Sequence, residues 1–273
     1  MRLIPVSTLQ RWIENVADRV DPVVSAFEPY VDGLENLPPD GRFLLVGNHT
    51  QAGTEALLIP YLVRRQIGIR LRPLADRRFG NFKGLAADVF AALGAVVGTP
   101  DAARELMRSD EPILVFPGGG REINKASDQL YSLMWKGRNG FARLAIENDY
   151  LIVPVALVGG DDVYHVLTSS DGRWARMTKP LATRMTGDSD MAMPLMRGIG
   201  PTLVPRPQRM YLRFGTPIDT SRPKRAVAEK WATTVRERVK TALEADLAAL
   251  LQIRSTDPYR QLAPWARSAA VSP

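Results

Sequence analysis

Asn48, His49 and Glu55 lie between two apolar runs, Phe43-Leu-Leu-Val46 and a longer one that continues from Glu55 to residue 63. The first run reads as a buried strand and the second as the start of a helix. A strand that delivers an imidazole beside a carboxylate at a helix N-terminus makes a proton-transfer pair. Neutral imidazole accepts a proton near pH 7, and a carboxylate on its other nitrogen fixes the tautomer and stabilises the imidazolium. The chain has two histidines, His49 and His165, so the choice of such a base is narrow. A lone histidine after a strand is also commonly a hydrogen-bonded structural residue. A second stretch favours the chemical reading: Val115-Phe-Pro-Gly-Gly-Gly-Arg-Glu122 again follows an apolar strand. The glycines Gly118, Gly119 and Gly120 let backbone N–H groups converge on an anion or a developing oxyanion, and Arg121 offers a planar fork to phosphate or carboxylate. No Gly-Lys-Ser/Thr follows, so the run is not a nucleotide P-loop.

Alternating strands and helices must position these residues. Strands are expected at 30–37, 43–46, 70–75, 95–98, 113–116, 151–158 and 209–214. Helices are expected at 7–20, 55–65, 79–93, 100–108 and 134–148. Thr99-Pro-Asp101 supplies an N-cap, a first-position proline and a first-turn acid. A long helix follows residue 223, where Val227, Trp231, Val235, Val239, Leu243 and Leu247 recur every four residues. This spacing predicts an α/β fold with a central, largely parallel mixed sheet flanked by helices. The expected organisation is an N-terminal amphipathic helix region at 1–29, one domain at 30–254 and a loosely ordered tail at 255–273. Residues 171–209 break the rhythm, with five methionines from Met177 to Met196. Unbranched methionine fits an irregular apolar partner such as an acyl chain, or simply fills gaps.

Composition excludes several classes. Cysteine is absent, which removes disulfides, thiolate metal sites and a cysteine nucleophile, and fits a reducing compartment. The first 25 residues are too charged for a secretory signal, and no run of 18 apolar residues predicts a transmembrane helix. The net charge is +7, and residues 173–225 hold eleven Lys and Arg against three Asp. That block suggests an anionic partner: a membrane surface, a phosphorylated substrate or nucleic acid. No nucleic-acid motif is present, so nucleic acid is not an expected partner.

Taken together, Asn48-His49, a spaced acid and a strand ending in Phe-Pro-Gly-x-x-Arg resemble the glycerolipid (lysophospholipid) acyltransferase superfamily. The family's common form places Asp where this chain has Thr54, and Glu where it has Gly118. With Glu55 one place later and Glu122 after the arginine, the pattern is similar to the diacylglycerol acyltransferase-like and phytyl ester synthase branch. Trp135-Lys-Gly-Arg-Asn-Gly-Phe141, Val158-Gly-Gly-Asp-Asp162 and Arg197-Gly-Ile-Gly-Pro201 extend the resemblance, which spans roughly residues 30–220.

The resemblance implies an acyltransferase that moves a fatty acyl group from a thioester, acyl-CoA or acyl carrier protein, to a lipid hydroxyl. It implies His49 as general base and Glu55 as its partner, with Asn48, Gly118, Gly119, Gly120, Arg121 and Glu122 binding substrate. No metal and no cofactor beyond the thioester co-substrate are implied. The expected location is cytoplasmic, peripheral to the inner face of an anionic membrane. The alternatives are a hydrolase using the same base on water, and an inactive lipid-binding adaptor. Asp161 and Asp162 read as loop-capping or acceptor-binding residues, and His165 as a structural or surface residue.

Overall fold

A computed structural model describes residues 27–51, 53–75, 95–187 and 189–273. The helices expected at 7–20 and 79–93 lie outside these residues. Nine strands form a seven-stranded sheet and a separate pair among the described residues. They are β1 (Tyr30–Asp32), β2 (Phe43–Gly47), β3 (Arg72–Ala75), β4 (Val96–Val97), β5 (Ile113–Val115), β6 (Leu151–Val158), β7 (His165–Val166), β8 (Met196–Arg197) and β9 (Tyr211–Phe214). The large sheet runs β1-β9-β6-β2-β5-β3-β4, and all its pairings are parallel except β6 with β9. The predicted mixed, largely parallel sheet is the observed one.

Strand residues alternate between the two faces. Leu44, Val46, Ile113, Ile152 and Ala156 join one core cluster, with helices α4 (Gly140–Glu147) and α6 (Ala228–Thr256). Phe43, Leu45, Leu114, Val153 and Val155 join the other, with α1 (Glu55–Ile67). Burial on both faces explains why β2 and β6 read as continuous apolar runs. Along α6, Val235, Val239, Leu243 and Leu247 are buried against the sheet. Helix α2 (Pro100–Arg108) starts as predicted, with Thr99 Oγ1 accepting from the Ala102 N–H at 3.1 Å.

Four expectations need correction. The strand placed at 30–37 stops at Asp32, because Gly33 takes φ 75° and a Cβ there would lie 2.1 Å from Phe214 O. The helix placed at 134–148 begins only at Gly140, since Lys136 and Gly137 have positive φ. Residues 171–209 are not irregular throughout: α5 (Arg173–Thr186) forms there, capped by Gly187 at φ 75°. The tail expected to be loose is tied down. Buried Asp257 pairs with Arg209 at 2.7 Å and accepts from Tyr211 Oη, while Arg209 Nη1 also donates to Val271 O at 2.8 Å.

Candidate active site

Parallel pairing of β2 with β5, Val46 against Val115, brings the segments after both strands to the same end of the sheet. One carries His49, and the other carries Phe116 and the glycine turn leading into the short helix α3 (Gly120–Ile123). Ligand sites in such sheets form at the carboxyl ends of strands.

His49 is held from several sides. Its Nδ1 pairs with Oε1 of fully buried Glu55, the first residue of α1. Its ring stacks on Phe116 at 4.5 Å between centroids. Its peptide is clamped as well: the N–H donates to Glu122 Oε2 at 2.7 Å, and the carbonyl accepts from Lys125 Nζ at 2.9 Å. Glu55 also accepts from Thr50, through the backbone N–H at 3.1 Å and through Oγ1. Burial pushes the Glu55 carboxyl up, but its hydrogen bond to His49, electrostatic attraction to that ring and the Thr50 bonds together hold it below its ordinary value. A buried carboxylate that stays ionised beside an imidazole suits it to proton transfer. Glu122 moves the other way. Burial raises it, against partial relief from Lys125 and the N–H donors of His49 and Met134.

The site residues predicted from sequence divide by location. His49, Gly119 and Gly120 line a cavity of about 1120 Å3. Its inner wall is apolar, with Leu44, Ile113, Ala103 and Met107 among its residues, and Arg138 and Asn139 also line it. Asn48 does not line it. Its side-chain amide is spent on β6, donating to Leu157 O at 2.9 Å and accepting from Leu157 N–H at 2.8 Å. Glu122 is buried behind His49, and Gly118 leaves room for it, since a Cβ on Gly118 would come within 2.1 Å of Glu122 Cδ. Arg121 is half-buried and is not part of the cavity wall. Gly119 adopts φ 57° and ψ −145°, a conformation that only glycine takes readily. Of the methionines in the long excursion, Met191 reaches the cavity.

Two residues escaped the sequence reading. Lys125 is fully buried in an ion pair with fully buried Asp161 at 2.9 Å. Asp161 also accepts from the N–H groups of Gln51 (3.1 Å) and Tyr131 (2.9 Å), so it organises the loop after His49. Its loop-capping reading is the observed one. No local pattern marks Lys125, whose partners are 36 and 76 positions away. Arg138 donates to Pro117 O at 2.8 Å at the cavity wall, and it stood inside the quoted Trp135 motif without a role. His165 is exposed on β7. Among the described residues, no group of three or more His, Asp or Glu could hold a metal ion, and no helix is long and apolar enough to cross a membrane.

A mostly parallel sheet thus presents a histidine and a buried carboxylate at a largely apolar cavity. The family model described as "Acyltransferase" matches residues 28–158. Over those residues the chain is similar to this acyltransferase family, and the relatives it matches over most of its own length include two phytyl ester synthases. It is 31% identical to phytyl ester synthase 2 of Arabidopsis thaliana, over 86% of this chain and 36% of that protein. It is 30% identical to phytyl ester synthase 1 of the same plant, over 85% of this chain and 35% of that one. A human protein named "DGAT1/2-independent enzyme synthesizing storage lipids" is 32% identical over 46% of this chain and 38% of its own length. The chain thus spans about a third of the plant relatives it matches.

Proposed function

We propose that the protein transfers a fatty acyl group from acyl-CoA or acyl carrier protein to the hydroxyl of a lipid alcohol, without an acyl-enzyme. The observation that carries this is His49, tied through Nδ1 to buried Glu55 and facing a largely apolar cavity of about 1120 Å3. With Nδ1 engaged, Nε2 takes the proton of the acceptor hydroxyl as its oxygen attacks the thioester carbonyl. A C–O bond forms, and Glu55 stabilises the imidazolium. Collapse of the tetrahedral intermediate breaks the C–S bond, and the imidazolium returns the proton to the leaving thiolate. The N–H groups of His49, Thr50 and Gln51 are already bonded to Glu122, Glu55 and Asp161, and that of Gly119 to Phe116 O. The oxyanion therefore falls to the neighbouring N–H group of Gly120, which lines the cavity.

The acyl chain occupies the apolar cavity, where each buried methylene contributes about 0.8 kcal/mol. Arg138, at the wall, meets the anionic part of the donor. The relatives' names favour a long-chain or acylglycerol alcohol as acceptor. The location proposed is cytoplasmic, on the inner face of an anionic membrane. The adaptor alternative loses support because Glu55 takes the carboxylate position that Thr54 cannot. The Thr54 hydroxyl is directed at Met210 Sδ, 3.9 Å away.

The test is thiol release from palmitoyl-CoA with a panel of alcohols, using wild type and His49→Ala. A chain without cysteine adds no background to a thiol-reactive dye. Acceptor-dependent release that disappears in His49→Ala is expected. Release without acceptor would instead make it a hydrolase.

A further inference from the structure

The excursion that interrupts the strand–helix alternation carries an exposed apolar face that the acyl-transfer chemistry does not use. On α5, Trp174, Met177, Leu181 and Met185 recur at i, i+3, i+7 and i+11, the spacing of a single helix face. All four are exposed, Met177 at 73% and Met185 at 76%. The helix packs on the protein through another side, where Ala175 is buried and Lys179 Nζ donates to Ser170 O at 2.6 Å. Trp174 Nε1 donates to Met193 O at 3.1 Å, which sets exposed Met193 and Leu195 beside the start of the helix. Contiguous apolar surface of this kind marks an interaction site.

Charge identifies the occupant. Arg173, Arg176 and Arg184 are exposed on α5, and residues 173–186 contain no Asp or Glu. A second copy of the same face would set guanidinium groups against each other. An anionic bilayer accepts both features, with the apolar side chains entering the headgroup–acyl boundary and the arginines meeting lipid phosphates. The face also adjoins the cavity. After α5 the chain turns through Ser189–Met191, and Met191 packs over Gly120, where a Cβ would lie 2.7 Å from Met191 Cε. Asn124 lines both the cavity and the pocket beneath Trp174 and Lys179.

We propose that α5, with Met193 and Leu195, docks the protein on an anionic lipid bilayer, so that a lipid alcohol passes from the membrane to the cavity mouth without crossing water. The delivery role rests on the acyl-transfer reading; the docking is measurable without catalysis.

The experiment is co-sedimentation of the full chain with phosphatidylglycerol–phosphatidylcholine vesicles and with pure phosphatidylcholine vesicles. Wild type, Met177→Asp/Met185→Asp and Arg176→Ser/Arg184→Ser are compared, with circular dichroism melts confirming the fold. Wild type should prefer the anionic vesicles by at least about tenfold, and added salt should weaken that preference. The serine pair should lose roughly fivefold per cation removed. The aspartate pair should lose about tenfold or more, yet transfer a soluble acyl group to a water-soluble alcohol within about twofold of wild type. Vesicle binding unchanged in the aspartate pair, no anionic preference, or a dimer that depends on this face would each overturn the docking. Wild type that binds through α5 but releases no thiol with any acceptor sinks the acyl-transfer reading and leaves the docking intact.

Discussion

Glu55→Gln isolates the charge of the carboxylate from its hydrogen bonds. Oε1 serves both His49 Nδ1 and the Thr50 N–H, while Oε2 meets the Thr50 hydroxyl. The substitution keeps a carbonyl oxygen for the first two and turns an amide toward the hydroxyl, which can rotate to accept. The geometry survives, and the lost quantity is the attraction between carboxylate and imidazolium. Two unit charges about 4 Å apart interact by roughly 4 kcal/mol at an effective dielectric near 20. Every 1.36 kcal/mol is about tenfold in rate, so the ceiling is about a thousandfold. The His49 side chain is 16% exposed, and water screening lowers the expected loss toward a hundredfold. Because the imidazolium forms only as the reaction proceeds, the loss should fall on kcat and leave KM nearly unchanged. Thiol release under saturating acceptor measures it. A kcat within about fivefold of wild type, or a change confined to KM, would remove Glu55 from the mechanism.

Lys125→Met should cost about 3–5 kcal/mol of stability by urea denaturation, because it strands a fully buried Asp161. A cost below about 1 kcal/mol would contradict the role given to that pair. Gly118→Ala drives a Cβ into Glu122 and should loosen its bond to the His49 N–H, at about 2 kcal/mol. A fall in Tm of roughly 4–8 °C together with a lower kcat is the expected readout. Ala103→Phe narrows the cavity and should raise KM for palmitoyl donors while sparing short acyl donors, and an equal effect on both would take the chain out of the cavity. The Glu55 carboxyl lies below its ordinary 4.5, so its stabilisation is complete above that pH and is lost as pH falls through the lower folded value. The stability advantage of wild type over Glu55→Gln should therefore shrink only as pH falls below about 4.5, toward that lower folded value. A gap that widens would reverse the sign.

The sheet was legible because its physics is local. Strands buried on both faces, such as β6, must be apolar at every position, and Thr99-Pro-Asp101 carries its own cap. Local rules failed at residues 134–139, where positive φ at Lys136 and Gly137 delays the helix, and in the tail, where the Asp257–Arg209 pair spans 48 residues. Helix α5 was hard to read because its evenly spaced apolar residues face outward rather than into a core, and because Pro180, which usually ends a helix, stands inside it.

By itself the sequence narrowed which residues could carry chemistry. Two histidines, no cysteine and the paired motifs around His49 and Gly118 leave few candidates, since residue type sets what a side chain can accept or donate. Tertiary structure decided which of them meet. It turned Asn48 toward β6 and Glu122 behind His49, and it brought Lys125 to the His49 carbonyl from 76 residues away. Those contacts depend on parallel pairing of β2 with β5 and β6, in which Val46 faces Val115 on one side and Pro154 on the other. Distances between segments so far apart in the chain follow from how the whole sheet packs, and no local pattern encodes them.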